Sequence, residues 1–230
     1  MSRLKGRAGR AGSSRAPKVH GPLEREARTA LASSAQALER IVRMAPAVAA
    51  ASEMMIACLE GGGTVFFCGN GGSAADAQHF ATELAGRYLA DRPSLPGVAL
   101  TTNTSALTAI GNDYGFDQVF SRQLESLGGP GDVLVAITTS GRSPNVLQAV
   151  QMARALGMGV IGFTGLPGTA FAAECDVALV TPQASTPRIQ EGHLAMGHAL
   201  CELVERALFG AGRAPARSGR STRAKPRTRR

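Results

Sequence analysis

The stretch from residue 64 to residue 83 does most to limit what this chain can fold into. A strand-sized apolar run, 64–68, leads into Gly69-Asn70-Gly71-Gly72-Ser73, and that turn opens a helical pattern reaching Glu83. Strand, glycine turn and helix in direct succession make half of a βαβ unit, which points to a parallel sheet covered by helices. The glycines allow a sharp turn and let the backbone approach an anionic or polyhydroxylated ligand closely. The pattern is not GxGxxG and has no Walker lysine, so a nucleotide site is not indicated. On the helix, His79 and Glu83 are four residues apart and share one face. Such a pair suits metal binding, acid–base chemistry or a plain hydrogen bond, and the spacing alone leaves all three open.

The alternation continues along the chain. Residues 22–60 read as two helices punctuated by Pro46 and stopped by Gly61-Gly62-Gly63. Further strands are expected at 97–100, 132–137, 159–163 and 177–180. Helices are expected at 73–86, 104–111, 116–127, 143–156 and 187–208. The fold class expected is therefore α/β, with five parallel strands between helical layers and extra helices at the N-terminal side. In such sheets ligands bind outside the carboxyl ends of the strands. The most apolar runs, such as Val133–Thr138 and Val160–Phe163, are strand-sized rather than about 20 residues long, so no membrane span is expected, and no signal peptide pattern opens the chain.

The net charge of +8 belongs to the ends. Residues 1–20 and 213–230 hold fourteen Lys and Arg and no acid, which leaves the body at −6. Both ends are rich in Arg, Ser, Pro, Gly and Ala and have little to bury, so they read as disordered tails flanking one domain at 21–212. Such tails can attract nucleic acid or anionic lipid nonspecifically, or serve only as solvated solubility tails, and the sequence leaves both readings open. Cys58, Cys68, Cys175 and Cys201 show no CxxC pairing and read as reduced thiols of a cytoplasmic protein.

A second loop carries chemistry. Thr138-Thr139-Ser140-Gly141-Arg142-Ser143 sets hydroxyls and a guanidinium at a helix N-terminus, where backbone N–H groups and the helix dipole also converge. A helix cap needs one hydroxyl; this loop offers four, which favours a phosphate monoester. On the last helix, Gln190 and His198 lie about 80° apart around the axis at 3.6 residues per turn, so both can face one site. His193 points elsewhere and reads as a satisfied structural histidine, and Glu191 as a surface or interface carboxylate.

Four separated segments occur in a telling order: GNGGSAADAQHFATEL, then GNDYGF from Gly111, then ITTSGRSPNV, then RIQEGHLAMGH. Together they resemble the sedoheptulose 7-phosphate (phosphoheptose) isomerases of the sugar isomerase (SIS) family, over about residues 22–210. The resemblance implies the three-layer SIS fold. It implies one zinc ion per subunit held by His79, Glu83, Gln190 and His198. It implies substrate contacts from Asn70, Gly71, Gly72, Ser73, Glu83, Arg87, Asn112, Asp113, Thr138, Thr139, Ser140, Ser143 and Gln190. It further implies catalysis by Glu83 as base and His198 as acid–base partner, and a homotetramer with active sites at subunit interfaces. Thr138 stands where the family often has Ser, which keeps the hydroxyl. Arg142 stands where Asn is common, which adds a cation.

The implied activity converts sedoheptulose 7-phosphate to D-glycero-D-manno-heptose 7-phosphate, a first step of bacterial heptose biosynthesis that supplies lipopolysaccharide among other products. Two alternatives come from relatives: a non-enzymatic SIS regulator that binds the replication initiator DnaA, and another sugar-phosphate isomerase. The DnaA-binding relative lacks the final histidine of the last helix, which His198 supplies here.

Overall fold

A computed structural model of the protein describes residues 21–210. The basic stretches at 1–20 and 213–230 lie outside the described residues. Five strands, β1 (Val65–Gly69), β2 (Gly97–Ala99), β3 (Val133–Ile137), β4 (Gly159–Gly165) and β5 (Val177–Thr181), form one sheet. Their order is β2-β1-β3-β4-β5, and every adjacent pair is parallel. The helices are α1 (Pro22–Ile41), α2 (Ala45–Glu60), α3 (Gly72–Ala85), α4 (Thr104–Tyr114), α5 (Ser121–Leu127), α6 (Pro144–Ala155), α7 (Thr169–Ala172) and α8 (Thr186–Phe209). All five expected strands are present, with ends shifted by one or two residues. The expected 116–127 helix divides into a 3-10 turn and α5, and the short α7 was not anticipated.

β1 and β3 are buried along their whole length, which is why they read as continuous apolar runs. Their side chains still alternate between two cores. Val65, Phe67, Val133, Val135, Ile137, Ile161 and Phe163 meet α2, α3 and α8 on one face. Phe66, Cys68, Leu134, Ala136 and Val160 meet α5, α6 and α7 on the other. Low aromatic content is matched by small residues at the helix seams. Gly197 of α8 lies directly under the Phe80 ring of α3, where a Cβ would collide with it, so these two helices approach closely.

α2 buries Val48, Ala51, Met55 and Cys58, whereas α1 buries only Ala37. By length and composition alone, the helical run Pro22–Glu60 is apolar enough to cross a membrane. The strand-sized runs noted above missed this, because its apolar residues are spread among alanines; in the fold α2 turns them into the first core. α1 is tied to α8 by Arg188, which donates to the Ala30 carbonyl at 2.8 Å, bonds Ser34, and pairs with Glu191 at 2.6 Å. Glu191 joins this tie by accepting from Ser34 Oγ of α1 at 3.3 Å. All four cysteines are free thiols.

Strand order reverses direction between β1 and β3, the point where open α/β sheets form a crevice at their carboxyl ends. The register pairs Gly69 with Ile137, so the glycine loop and the hydroxyl loop leave the sheet side by side.

Candidate active site

The glycine loop is shaped by two positions. Gly71 sits at φ 56°, a left-handed conformation that favours glycine. Gly72 lies against the Gln190 amide, which occupies the space a Cβ would take. Gln190 thus stands at the loop because residue 72 has no side chain. Ser73 is buried, and its amide donates back to the Asn70 carbonyl at 3.0 Å to start α3. The side chain of Asn70 pairs with that of Asn145 on α6.

In the second loop, Gly141 at φ 66° packs on Gly168 and Phe171. Ser143 occupies the N-cap of α6 but makes no side-chain cap bond. Its hydroxyl instead meets Thr138 Oγ1 at 3.2 Å. Ser140 Oγ accepts from the Arg142 amide at 3.3 Å. Thr138 is buried, Thr139 and Ser140 are half-buried, and Arg142 is exposed. The hydroxyls are therefore gathered at a helix N-terminus rather than spent on capping it, an arrangement suited to an anionic group.

The third part of the site forms between α3 and α8, which run side by side in the same direction. Gly72 meets Gln190, Phe80 meets Gly197, and His79 meets His198. His79 Nε2 and His198 Nε2 are 2.8 Å apart, and Glu83 Oε1 is 3.5 Å from His79 Nε2. One ligand atom from each of the three lies within 4.8 Å of the others. Bonds of about 2.0–2.1 Å at tetrahedral angles separate ligand atoms by roughly 3.3 Å, so a slight parting of the imidazoles makes room for a zinc ion. The donor set, two imidazoles and a carboxylate, suits that metal. Gln190 lies two turns earlier on α8. Tyr88 lies against His198 with the rings tilted and their centroids 6.0 Å apart.

The segment after α3 is organised by a buried pair. Glu205 of α8 accepts from the amides of Tyr88, Leu89 and Ala90 at 3.0, 2.9 and 2.7 Å and from Arg92 Nε at 2.8 Å. Arg92 in turn donates to the carbonyls of Glu83 and Leu84 at 2.7 and 3.0 Å, closing the C-terminus of α3. Arg87 is exposed on this segment. Asn112 and Asp113 lie in the last turn of α4, a helix with no buried residue; they are exposed and bonded to each other at 2.8 Å.

Three residues were missed or misread from sequence. Asn145 gave no local signal, because its partner is 75 positions away. Asp76 lies one turn before His79 with its Oδ2 buried and without a hydrogen-bond partner, and burial lifts its pKa to about 6 against the pull of His79; an Asp three residues before a candidate ligand was a readable cue. His193 is fully buried, but neither ring nitrogen reaches a partner in hydrogen-bond geometry, so it is not the satisfied histidine expected. It packs edge-on to Phe163 at 5.5 Å. Burial pushes its pKa down from 6.5 to about 4, opposed in part by the Thr164 backbone.

The fold therefore prefers neutral His193. Between pH 6.5 and about 4 the unfolded chain takes up a proton that the native one resists, so stability falls as pH drops through that window. His193→Leu is expected to flatten this part of a urea-denaturation profile against pH. An unchanged slope in the variant would show that His193 does not carry it.

A parallel α/β sheet with a glycine loop and a hydroxyl loop at its switch point defines a class, and comparison with known proteins agrees. Residues 31–165 match the SIS domain family, more than half of the chain and ending before β5 and α8. The phosphoheptose isomerase of Rhodospirillum rubrum is 56% identical over 186 residues, taking in 81% of this chain and 99% of that one. That of Helicobacter hepaticus is 53% identical over 170 residues, 74% of this chain and 87% of that one. Among solved structures, the phosphoheptose isomerase of Neisseria gonorrhoeae superposes with a TM-score of 0.75 at 47% identity, covering 80% of this chain and 98% of that one. The enzyme from Francisella tularensis gives 0.78 at 39% identity, covering 81% and 100%.

The chain belongs to the SIS-domain proteins and, among them, to the phosphoheptose isomerase family. It is a sugar-phosphate isomerase with the three-layer SIS fold.

Proposed function

We propose that the protein converts sedoheptulose 7-phosphate to D-glycero-D-manno-heptose 7-phosphate, with Glu83 and His198 moving the protons. The observation that carries this reading is the meeting of His79, Glu83 and His198 between α3 and α8, in a chain so similar to phosphoheptose isomerases. Glu83 takes one proton from C1 of the open-chain ketose and returns it to C2 through an enediol. His198 moves the matching proton between O1 and O2, so bond changes and protons balance. Asn70, Gly71, Gly72 and Ser73 hold the sugar with Gln190 beside them, and Arg87, beyond the other end of α3, also contacts the substrate. Thr138, Thr139, Ser140 and Ser143 take the phosphate at the α6 N-terminus.

His79, Glu83, Gln190 and His198 would hold one zinc ion. When bound, zinc supplies a Lewis acid that polarises the sugar carbonyl. The residues divide the remaining work: His79 and Gln190 hold the corners of the site, and Glu83 stays within reach of the sugar carbon.

Exposed apolar side chains on α1 (Leu23, Leu31) and around α4 (Tyr114, Phe116) support a homotetramer with active sites at subunit interfaces. Asn112 and Asp113, presented on the uncovered α4, are then supplied to a site from its edge. We place the enzyme in the cytoplasm, in line with its free thiols. The relatives at 52–56% identity carry the isomerase name, and this disfavours the DnaA-binding regulator.

A coupled assay on sedoheptulose 7-phosphate, run with and without chelator, tests the reading. Turnover is expected, with loss on chelation and recovery with zinc, and metal analysis is expected to find about one ion per chain. Failure to turn over this sugar while another sugar phosphate is isomerised would reassign the substrate. Full activity in metal-free protein would remove zinc from the site.

A further inference from the structure

We propose that Asn145 is a positioning residue for the isomerase reaction. By clasping Asn70 it sets the distance between the loop that holds the sugar and the loop that holds the phosphate. The proposal rests on the isomerase reading above.

The two side chains form a reciprocal pair. Asn70 Nδ2 donates to Asn145 Oδ1 at 2.8 Å, and Asn145 Nδ2 donates to Asn70 Oδ1 at 2.9 Å. Asn145 is only 2% exposed, and the chain spends this buried amide entirely on Asn70. It is not needed as a helix cap, because Ser143 holds that position and Pro144 begins α6.

The place of the pair gives it meaning. β1 and β3 are joined by ladder hydrogen bonds only as far as Gly69 and Ile137. Beyond that level the two chains part: α3 packs on one face of the sheet and α6 on the other. This parting opens the crevice at the switch point. The amide pair is the tie across it just past the end of the ladder. Asn70 continues directly into Gly71 and Gly72, and Asn145 lies two residues after Ser143, whose hydroxyl meets Thr138. A substrate gripped at one end by each loop needs the two grips in register. The clasp uses one N–H and one lone pair of the Asn70 amide, so its other N–H and the second lone pair of Oδ1 are left for ligand. Asn70 thus both touches the sugar and holds the loop.

The test is a double-mutant cycle on kcat and KM for sedoheptulose 7-phosphate, using Asn145→Ala, Asn70→Ala and the double variant. Asn145→Asp keeps the shape and loses the donor, and it carries the comparison if the alanine variant does not fold. Thermal denaturation is recorded for each. Misplaced grips are expected to lower kcat/KM by about 10²-fold, with KM raised. Either single change should remove the clasp entirely, so the double variant should be no worse than the poorer single one. A merely structural role would lower the melting temperature and leave kcat/KM of the folded protein alone. Variants within about twofold of the parent, or losses that multiply in the double variant, overturn the proposal. If those results come from a parent protein with full turnover, the isomerase reading stands without the clasp. A parent protein with no turnover overturns both.

Discussion

Glu83→Gln is expected to leave a folded protein whose kcat for sedoheptulose 7-phosphate is about 10³–10⁴-fold lower, the upper part of the range for losing a general base. The change is isosteric but takes away the proton acceptor and, with it, the carboxylate that pairs with His79 and would hold the metal, so metal content is measured beside kcat. The helix should not suffer, because Arg92 holds the Glu83 backbone carbonyl at 2.7 Å whatever its side chain. Glu83 is also only half-buried, and among the described residues its ionic contact is with His79 at 3.5 Å. His198→Asn is expected to act in the same way on the proton moved between oxygens. Exchange of the substrate C1 proton with solvent deuterium separates the roles: it should vanish with Glu83→Gln and persist in part with His198→Asn. Turnover within about threefold of the parent in Glu83→Gln would remove this residue from the chemistry.

The largest loss of stability should follow Glu205→Ala. The pair with Arg92 is buried, with side chains 5% and 2% exposed. Truncation strands the guanidinium and three backbone amides without their acceptor. Breaking one partner of a buried pair costs about 3–5 kcal/mol, which urea denaturation at fixed protomer concentration will read. Glu205→Met combined with Arg92→Met should lose less, since no charge is left buried alone.

The pair also has a pH signature. Burial alone would raise the Glu205 pKa, but the Ala90 and Leu89 amides, Arg92 and the Tyr88 amide outweigh it and hold the pKa below the ordinary 4.5. Its stabilisation is therefore complete above about 4.5 and is lost as pH falls through the lower native pKa. Loss of that acid-side slope in the double methionine variant would attribute it to Glu205. Equal stability of parent and Glu205→Ala would show that the segment after α3 holds without the pair.

Much of the architecture could be read before any coordinates. The strand positions were legible because buried parallel strands are short apolar runs bounded by glycine and turn residues, as at 65–69 and 133–137. The two loops were legible because their residues are contiguous. The membrane-length character of 22–60 was not, since alanines dilute its apolar signal and only the packing of α2 reveals where the face goes. His193 was misread because helical position says which way a side chain points and nothing of what waits there.

Local chemistry was thus set by sequence alone: a glycine turn that only residues such as Gly71 can make, a hydroxyl-rich helix start, and a His and a Glu one turn apart. Spacing within one helix is fixed by 3.6 residues per turn, so such pairs need no fold to be seen. What only the tertiary structure decided was which of these pieces meet. Gly197 lets Phe80 and α3 close on α8, and this brings His198 to His79 across 119 positions of chain. The switch in strand order sets the two loops together, and Asn145 reaches Asn70 across the gap between them. These meetings depend on how layers pack, and packing is a property of surfaces brought together rather than of any one stretch of residues.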